Sequence, residues 1–548
     1  MTAVLGLGGS GHDWSSCALS GDRLFAVDEE RLTRRKYGVG SDLLAGVSRR
    51  AVLDAVDARA ADVRHVVACD LVPRSFTHAF RDRVERIDHH LAHAYSTFVA
   101  SGFAESAILI CDNAGSLVEG AAVGDGPRRA ETISYYIGDE DGIRLIGRVT
   151  GAHHVEAATE GQFFQPGITD NSLGQFYRSA SLAIGLSYRA DDRGYPVSED
   201  GKTMGLAPYG DERFIADLAD LVSLEADGRI TVSGDRTERV LGRLVDGGDF
   251  DVKAAIARAA QDTLERALLH CADYLQRATG QRNLCIAGGV GLNSVANGRI
   301  LKETGFDSVF VVPAAGDNGI SLGCAYYAAH QRLGVALRDL PVLHDAYLGP
   351  EYAADRVAAA PVTAGLTPVG GGDEVPERVA ELLADGALVG WFDGRSEFGP
   401  RALGHRSILT APFPASVRDR LNDEVKFREW FRPFAPVVLA ERTSDYFDID
   451  QASPFMLIVA PVRKPEAIPG VTHVDGTARL QTLNRSANPR LHSVLEHFDG
   501  LTGCPVLLNT SFNVAGQPIV ETPEDAVDAF AGMRLDYLVI GDRIYCHP

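Results

Sequence analysis

Two histidines four residues apart, His89 and His93, stand in DHHLAHAYSTFVASGFAESAILICD (88–112), on a stretch of helical pattern followed by an apolar strand that ends at Asp112. Residues i and i+4 share one helix face, with Cβ atoms ~5–6 Å apart. Both imidazoles can therefore converge on one metal, and a carboxylate at a strand end can add an oxygen. The same spacing also suits a helix whose histidines are buried and hydrogen-bonded. Downstream, DSVFVVPAAGDNGISLG places Asp317 in a loop between a strand and a helix. His89, His93, Asp112 and Asp317 together offer two nitrogens and two or more oxygens, a set that suits Fe(II), Zn(II) or Mn(II). The protease motif H-E-x-x-H is excluded because His90 follows His89. His90 is left as a substitute ligand or an outer partner of one.

A second group is basic. Between positions 395 and 432 lie Arg395, Arg401, Arg406, Arg418, Arg420, Lys426, Arg428 and Arg432, against Glu397, Asp419, Asp423, Glu424 and Glu429. A local basic excess is informative in a chain of net charge −21. Guanidinium forks match phosphate and carboxylate, and Gly399 and Pro400 beside Arg401 imply a shaped loop. The expectation is an anion pocket. Nucleic acid is the competitor, but no stripe of stacking aromatics accompanies the arginines. Arg479 follows in ARLQT, and Asn509, Thr510 and Ser511 follow an apolar strand, where short polar groups can hold a nucleotide or acyl group.

Two glycine turns complete the candidates. Gly6-x-Gly8-x-x-Gly11 matches the dinucleotide fingerprint literally, but a hairpin follows instead of the helix that fingerprint needs. The turn can still cradle a phosphate, with His12 beside it and Arg34, Arg35 and Lys36 one hairpin away. Gly288-Gly289-x-Gly291 sits between a strand and a helix opening near Asn293, a ready anion or nucleotide site.

These residues need elements to hold them. With 548 residues, 45% hydrophobic and 23% charged, the chain reads as a soluble protein of two to four domains. Strands alternate with helices, which implies α/β domains. A strand followed by a glycine loop recurs in both halves of the first region and suits a duplicated fold. EDGKTMGLAPYGD (199–211) reads as a loop, 251–280 as a long amphipathic helix, and 336–373 as irregular, with a domain boundary near 345. No run approaches a membrane span. The N-terminus enters a strand directly, and the eight cysteines form no C-x-x-C pair, so a cytoplasmic setting is expected. The acidic charge argues against nucleic-acid or anionic-membrane partners. The P-loop motif is absent, and no Ser-His-Asp arrangement stands out.

In order along the chain, HHLAHA, GKTMGLAPYG, AGGVGLN, VVPAAGDNGISLG, GPRALGHRS, VKFREWFRPFAP and LNTSFN closely resemble the ATP-dependent O-carbamoyltransferases of natural-product pathways, the tobramycin and nodulation-factor type. The resemblance covers nearly the whole chain. It implies residues 1–345 as an actin-like, duplicated ribonuclease H-like metal-binding domain for carbamoyl transfer. It implies residues 346–548 as a YrdC-like domain that makes carbamoyl-adenylate from carbamoyl phosphate and ATP with Mg2+. By matching motif, Fe(II) would be held by His89, His93, Asp112 and Asp317, with His12 and Lys36 at the transfer site. Arg401, Lys426, Arg432, Arg479, Asn509 and Ser511 would line the carbamoyl phosphate and ATP site. Gly288, Gly289, Gly291 and Asn293 would meet nucleotide or adenylate in the first domain. The acceptor would be a hydroxyl of a small molecule, and 150–200 would shape its pocket. One departure is Asn113-Ala114-Gly115-Ser116, where relatives commonly read Gly-x-Gly-Glu. A sugar or metabolite kinase of the same N-terminal fold leaves the arginines unexplained, a tRNA threonylcarbamoyl transferase is awkward at net −21, and a nucleotide-gated binding module would not turn over carbamoyl phosphate.

Overall fold

The structure, a computed structural model, describes residues 3–38, 46–80, 82–118, 128–155, 167–189 and 196–547. It is α/β. The chain divides into two compact units, one of residues 1–33 and 37–343, the other of residues 34–36 and 344–548.

The first unit holds two main sheets. In one, β1 (Val4–Gly8), β2 (Ser15–Ser20) and β3 (Arg23–Asp28) form an antiparallel run, and β4 (His65–Cys69) and β5 (Val84–Ile87) extend it in parallel, giving the order β3-β2-β1-β4-β5. In the other, β6 (Ser106–Cys111), β7 (Arg128–Asp139) and β8 (Gly142–Val155) are antiparallel, with β9 (Gly167–Thr169) beyond β8. On the far side of β6, Asn283–Ala287 and then Ser308–Val311 are added in parallel. The five-strand pattern of order and direction is therefore the same in both sheets. The central strands β1 and β6 are buried throughout, as strands covered on both faces must be.

The helix His89–Ser101 starts at Asp88, whose side chain accepts from the Leu91 N–H, and stops at Gly102 in the left-handed region. The helix Ile320–Leu333 lies against both this helix and β1. Glycine permits that approach: a Cβ on Gly323 would fall 1.8 Å from the Ala92 carbonyl oxygen, and one on Gly6 would fall 1.9 Å from that of Ser321. Gly6 and Gly8 of the N-terminal pattern are thus required by packing. The long helix Phe250–Thr279 ends at Gly280 as expected.

Two expectations of irregular chain fail. Residues 200–206 are helical, followed by a 3-10 turn, because Thr203, Leu206 and Ala207 fall at helical spacing and are buried, and the segment packs on the long helix. Ala354–Thr363 is also a helix, its alanine-rich run outweighing Pro361.

The second unit is built on an eight-stranded sheet in the order Thr367–Gly371, Arg543–Cys546, Tyr537–Ile540, Val389–Phe392, Arg406–Thr410, Val506–Ser511, Ala435–Leu439, Gln481–Leu483. The helices Val375–Ala384 and Pro489–Thr502 pack together beside it. Asn509, Thr510 and Ser511 belong to a strand, Asn509 opposite Leu409 and Ser511 opposite Ser407. Among the described residues no helix is long and apolar enough to cross a membrane.

Candidate functional site

Asp112 follows the last residue of β6, His89 lies two residues past β5, and Asp317 occupies a 3-10 turn between Ser308–Val311 and Ile320–Leu333. Strand ends in parallel sheets are where ligands gather. His89, His93, Asp112 and Asp317 are all buried, and their ligand atoms lie within 4.8 Å of one another. His89 Nε2 is 3.1 Å from Asp112 Oδ2 and 3.6 Å from Asp317 Oδ1; His93 Nε2 is 3.4 and 3.8 Å from the same atoms. Ligand atoms ~2.0–2.2 Å from one ion stand ~3–4 Å apart, so the set fits a metal.

The orphaned atoms agree. Neither ring nitrogen of the buried His93 has a hydrogen-bond partner, although Nε2 faces both carboxylates. Burial opposes charge on His89, yet hydrogen bonds to Asp112 and Asp317 hold its pKa well above the ordinary value. Burial pushes both carboxyls up, and at Asp112 the charge of Asp317 adds to it, but the histidines outweigh this and hold both below the usual range. A divalent ion would supply that positive charge in place of shared protons.

The surroundings fix the oxygens. Asp112 Oδ1 accepts from the N–H of Asn113 at 2.7 Å and of Gly289 at 3.3 Å, while Ser10 Oγ donates to Asp317 Oδ2. Gly288, at φ 91°, lets its strand end reach β6; a Cβ there would meet the Cys111 carbonyl oxygen at 2.3 Å. The glycine turn therefore supports Asp112. Gly291 opens toward Ile286 and Ala315, and Asn293 caps the next helix while its amide pairs with Gln261 at 2.9 and 3.0 Å. His90 is not a ligand: Nδ1 bonds Ser134 Oγ at 2.7 Å, and burial followed by the charge of His89 holds it neutral. His12 bonds Asp13 through Nδ1 at 2.9 Å. Burial lowers its pKa, but Asp13, then Asp317 and Asp112, outweigh that and raise it to about 9.

Glu441, His492 and Glu496 form another cluster. There the carboxylates approach opposite ring nitrogens, at 3.1 and 3.4 Å, and Arg485 also holds Glu496. Both carboxylates are exposed, and the contacts make an ion network around His492.

In the second unit the cations converge at one sheet end. Lys426 Nζ donates to the Ser511 carbonyl, to Asn513 O and Oδ1 at 3.1 Å each, and to Ser511 Oγ at 3.3 Å. Asn509 Nδ2 donates to Gln481 Oε1 at 2.8 Å, leaving its own buried Oδ1 without a partner. Burial lowers the pKa of Arg401 to about 10, with Arg432 adding to it. Arg479 is pushed well down by burial, then by Arg401, Arg428 and Arg432. Lys426 is likewise pushed well down by burial, then by Arg428 and Arg432. The buried Nε atoms of Arg401 and Arg479 have no hydrogen-bond partner. Such a group has the charge to receive an anion of several oxygens.

Matches to known proteins divide along the same line. The Carbamoyltransferase N-terminus model matches residues 49–326, and the Carbamoyltransferase C-terminus model matches residues 380–547. Nodulation protein NolO of Bradyrhizobium diazoefficiens is 37% identical over 473 residues, covering 83% of this chain and 78% of that protein. The chain belongs to the carbamoyltransferase family. Nodulation protein NolNO of Sinorhizobium fredii is 37% identical over 84% of this chain, which spans 64% of NolNO. The 3'-hydroxymethylcephem-O-carbamoyltransferase of Amycolatopsis lactamdurans is 34% identical over 64% of this chain and 65% of its own length. The protein is thus an enzyme of carbamoyl transfer, as the motifs imply.

Within this carbamoyltransferase, sequence reading misassigned some basic residues. Arg395 is spent on the carbonyls of Leu348 and Gly349, Arg406 on those of Asp393, Gly394 and Glu521, and Arg420 on Asp536. Arg34 donates to the carbonyls of Pro518 and Ile519 and pairs with Asp525 at 3.4 Å, so it is not free for a phosphate. Beside Lys36, the carbonyl of Tyr37 accepts from the Asp13 N–H at 2.8 Å, and the Tyr37 ring stands edge-on to His12 at 6.5 Å. Arg428 belongs to the cation group by its electrostatic coupling, although the motif matching passed over it. Ser10, Asp13 and Glu131 were also missed. The first two lie in the glycine turn and had a positional signal; Glu131, inside β7, had none. Of the stretch 150–200, residues 156–166 and 190–195 lie outside the described residues.

Proposed function

We propose that the chain is an ATP-dependent O-carbamoyltransferase with two sites. The observation that carries this reading is the presence, in separate units of one chain, of a buried two-histidine, two-carboxylate cluster and a cluster of one lysine and four arginines. We read the matched sheets of the first unit as the duplicated actin-like fold, and the second unit as YrdC-like.

In the second unit, carbamoyl phosphate is hydrolysed to carbamate and phosphate. The carbamate oxygen then attacks the α-phosphorus of ATP; the bond to the β-phosphate bridging oxygen breaks, and pyrophosphate leaves. Arg401, Lys426, Arg428, Arg432 and Arg479 stabilise the charge on the phosphoryl oxygens, in surroundings that strengthen such contacts. Asn509 and Ser511 position carbamate at the strand end. Carbamate alone is a poor electrophile, and the adenylate provides its leaving group.

In the first unit, an acceptor hydroxyl oxygen bonds to the carbamoyl carbon and AMP leaves. His89, His93, Asp112 and Asp317 would hold Fe(II) or another divalent metal, which supplies Lewis acidity at developing negative charge. A cation held by Asp112 and Asp317 would offset two of the charges that raise the His12 pKa, and the neutral imidazole, oriented by Asp13, takes the hydroxyl proton. Gly288 and Gly289 bring backbone close to where the adenylate would lie.

The test is product analysis with carbamoyl phosphate, ATP and a cell extract as the acceptor source. AMP, pyrophosphate and one compound heavier by a carbamoyl group are expected. ADP in place of AMP would favour the kinase reading.

A further inference from the structure

Three side chains from three elements hold the first turn of the histidine helix. The N–H of His89 donates to Ser116 Oγ at 2.7 Å, that of His90 to Glu131 Oε1 at 3.1 Å, and that of Leu91 to Asp88 Oδ1 at 2.9 Å. A helix leaves these N–H groups without internal partners. Asp88 is an ordinary cap on the chain entering the helix. Ser116 and Glu131 come from elsewhere: one from the loop after Asp112, the other from β7.

Glu131 also ties that loop. Its Oε1 accepts from the Ser116 N–H at 3.1 Å. The Gly115 N–H donates to the Glu131 carbonyl at 2.8 Å, and the Glu131 N–H donates to that of Ser116 at 3.1 Å. Ser116 Oγ in turn donates to Asp70 Oδ1 at 2.8 Å. A side chain at position 115 would break the arrangement, since its Cβ would stand 2.7 Å from Glu131 Oε1 and 2.8 Å from His90 Cδ2. Arg148 supports it from β8, with Nε 3.3 Å from Glu131 Oε2 and a nitrogen 3.3 Å from Asp88.

Glu131 is fully buried. Packing alone does not ask for a carboxylate there, because burying one is costly unless it is paired and hydrogen-bonded. What it joins are the two elements that carry three of the four ligands.

We infer that Glu131 and Ser116 are positioning residues of the metal centre. They fix the helix bearing His89 and His93 against the strand end bearing Asp112, and neither is a ligand itself. This inference rests on the metal reading above and adds the device that holds the ligand geometry.

The test uses Co(II) titrated into the full chain after chelation, with affinity and visible absorption bands read together, and with melting of the metal-free proteins in parallel. Glu131→Ala is expected to weaken Co(II) binding ~10–100-fold, the usual effect of losing an outer partner of a ligand, and to shift the bands. Ser116→Ala is expected to act in the same direction and more weakly. Wild-type affinity and bands in both variants, with only melting lowered, would leave a merely structural role and overturn the inference. If Glu131→Ala does not fold, Ser116→Ala decides alone by the same criterion. If the wild-type chain binds no Co(II), the metal reading itself fails and takes this inference with it.

Discussion

In the first unit two imidazoles and two carboxylates face one another in the interior, while in the second four guanidiniums and an ammonium crowd at a sheet end. Both gather ionisable groups where charge is costly: in the first, acids and imidazoles offset one another, while in the second the cations repel. Both also leave buried nitrogens unsatisfied: His93 in one, Arg401 and Arg479 in the other. The contrast lies in sign and rigidity. The carboxylates are fixed by short contacts at strand ends and ask for a small cation. The guanidiniums, on loops and strand ends, ask for a large anion with several oxygens. On the proposed reading, one chain carries two sites that call for ligands of opposite charge.

Substitutions should separate them. His93→Ala is expected to weaken metal binding by more than ~100-fold, beyond the range for outer partners, and to abolish transfer. Pyrophosphate release from ATP and carbamoyl phosphate should persist, and its loss would merge the two sites. Lys426→Ala is the converse. Losing a preorganised charge at a phosphoryl site costs ~10²–10³ in rate, so pyrophosphate release should collapse while Co(II) binding stays as in wild type. Arg479→Ala should act more mildly. A charge-assisted hydrogen bond is worth ~1.5–3 kcal/mol, which implies a KM for carbamoyl phosphate or ATP raised ~10–100-fold, visible in steady-state kinetics.

The smallest effect is a proton. Burial, then Arg428 and Arg432, depress Lys426 in the free enzyme, and a bound phosphate raises it again. Binding should therefore take up a proton at pH values between the free and bound pKa, and affinity should strengthen as pH falls through that window. Calorimetry of phosphate binding in buffers of different ionisation enthalpy measures the uptake. Lys426→Met should remove it; unchanged uptake would place the proton elsewhere.

Much of this was legible in the chain itself. His89 and His93 announce a shared face by spacing, and Asp112 and Asp317 follow strands that read plainly as apolar runs. Gly280 and Asp88 mark helix ends through local chemistry. Long-range geometry was not legible. Nothing at position 131 distinguishes a mid-strand glutamate from a surface one, because its partners, His90, Ser116 and Arg148, are brought together only by folding. The arginines of 395–432 look alike in sequence; carbonyls of the local loops take up Arg395 and Arg406, and only tertiary contacts show it. Residues 200–206 carry two glycines and read as a loop until the long helix gives Thr203 and Leu206 a surface to cover.

The central claim is that activation and transfer are separate. Its most direct measurement is mass spectrometry of the full chain, stripped by chelation, returned to Mg2+, and given ATP and carbamoyl phosphate. Carbamoyl-adenylate and pyrophosphate are expected to form without the tightly held metal, and a carbamoylated acceptor is expected only when that metal is restored. Loss of pyrophosphate release together with the metal would contradict it.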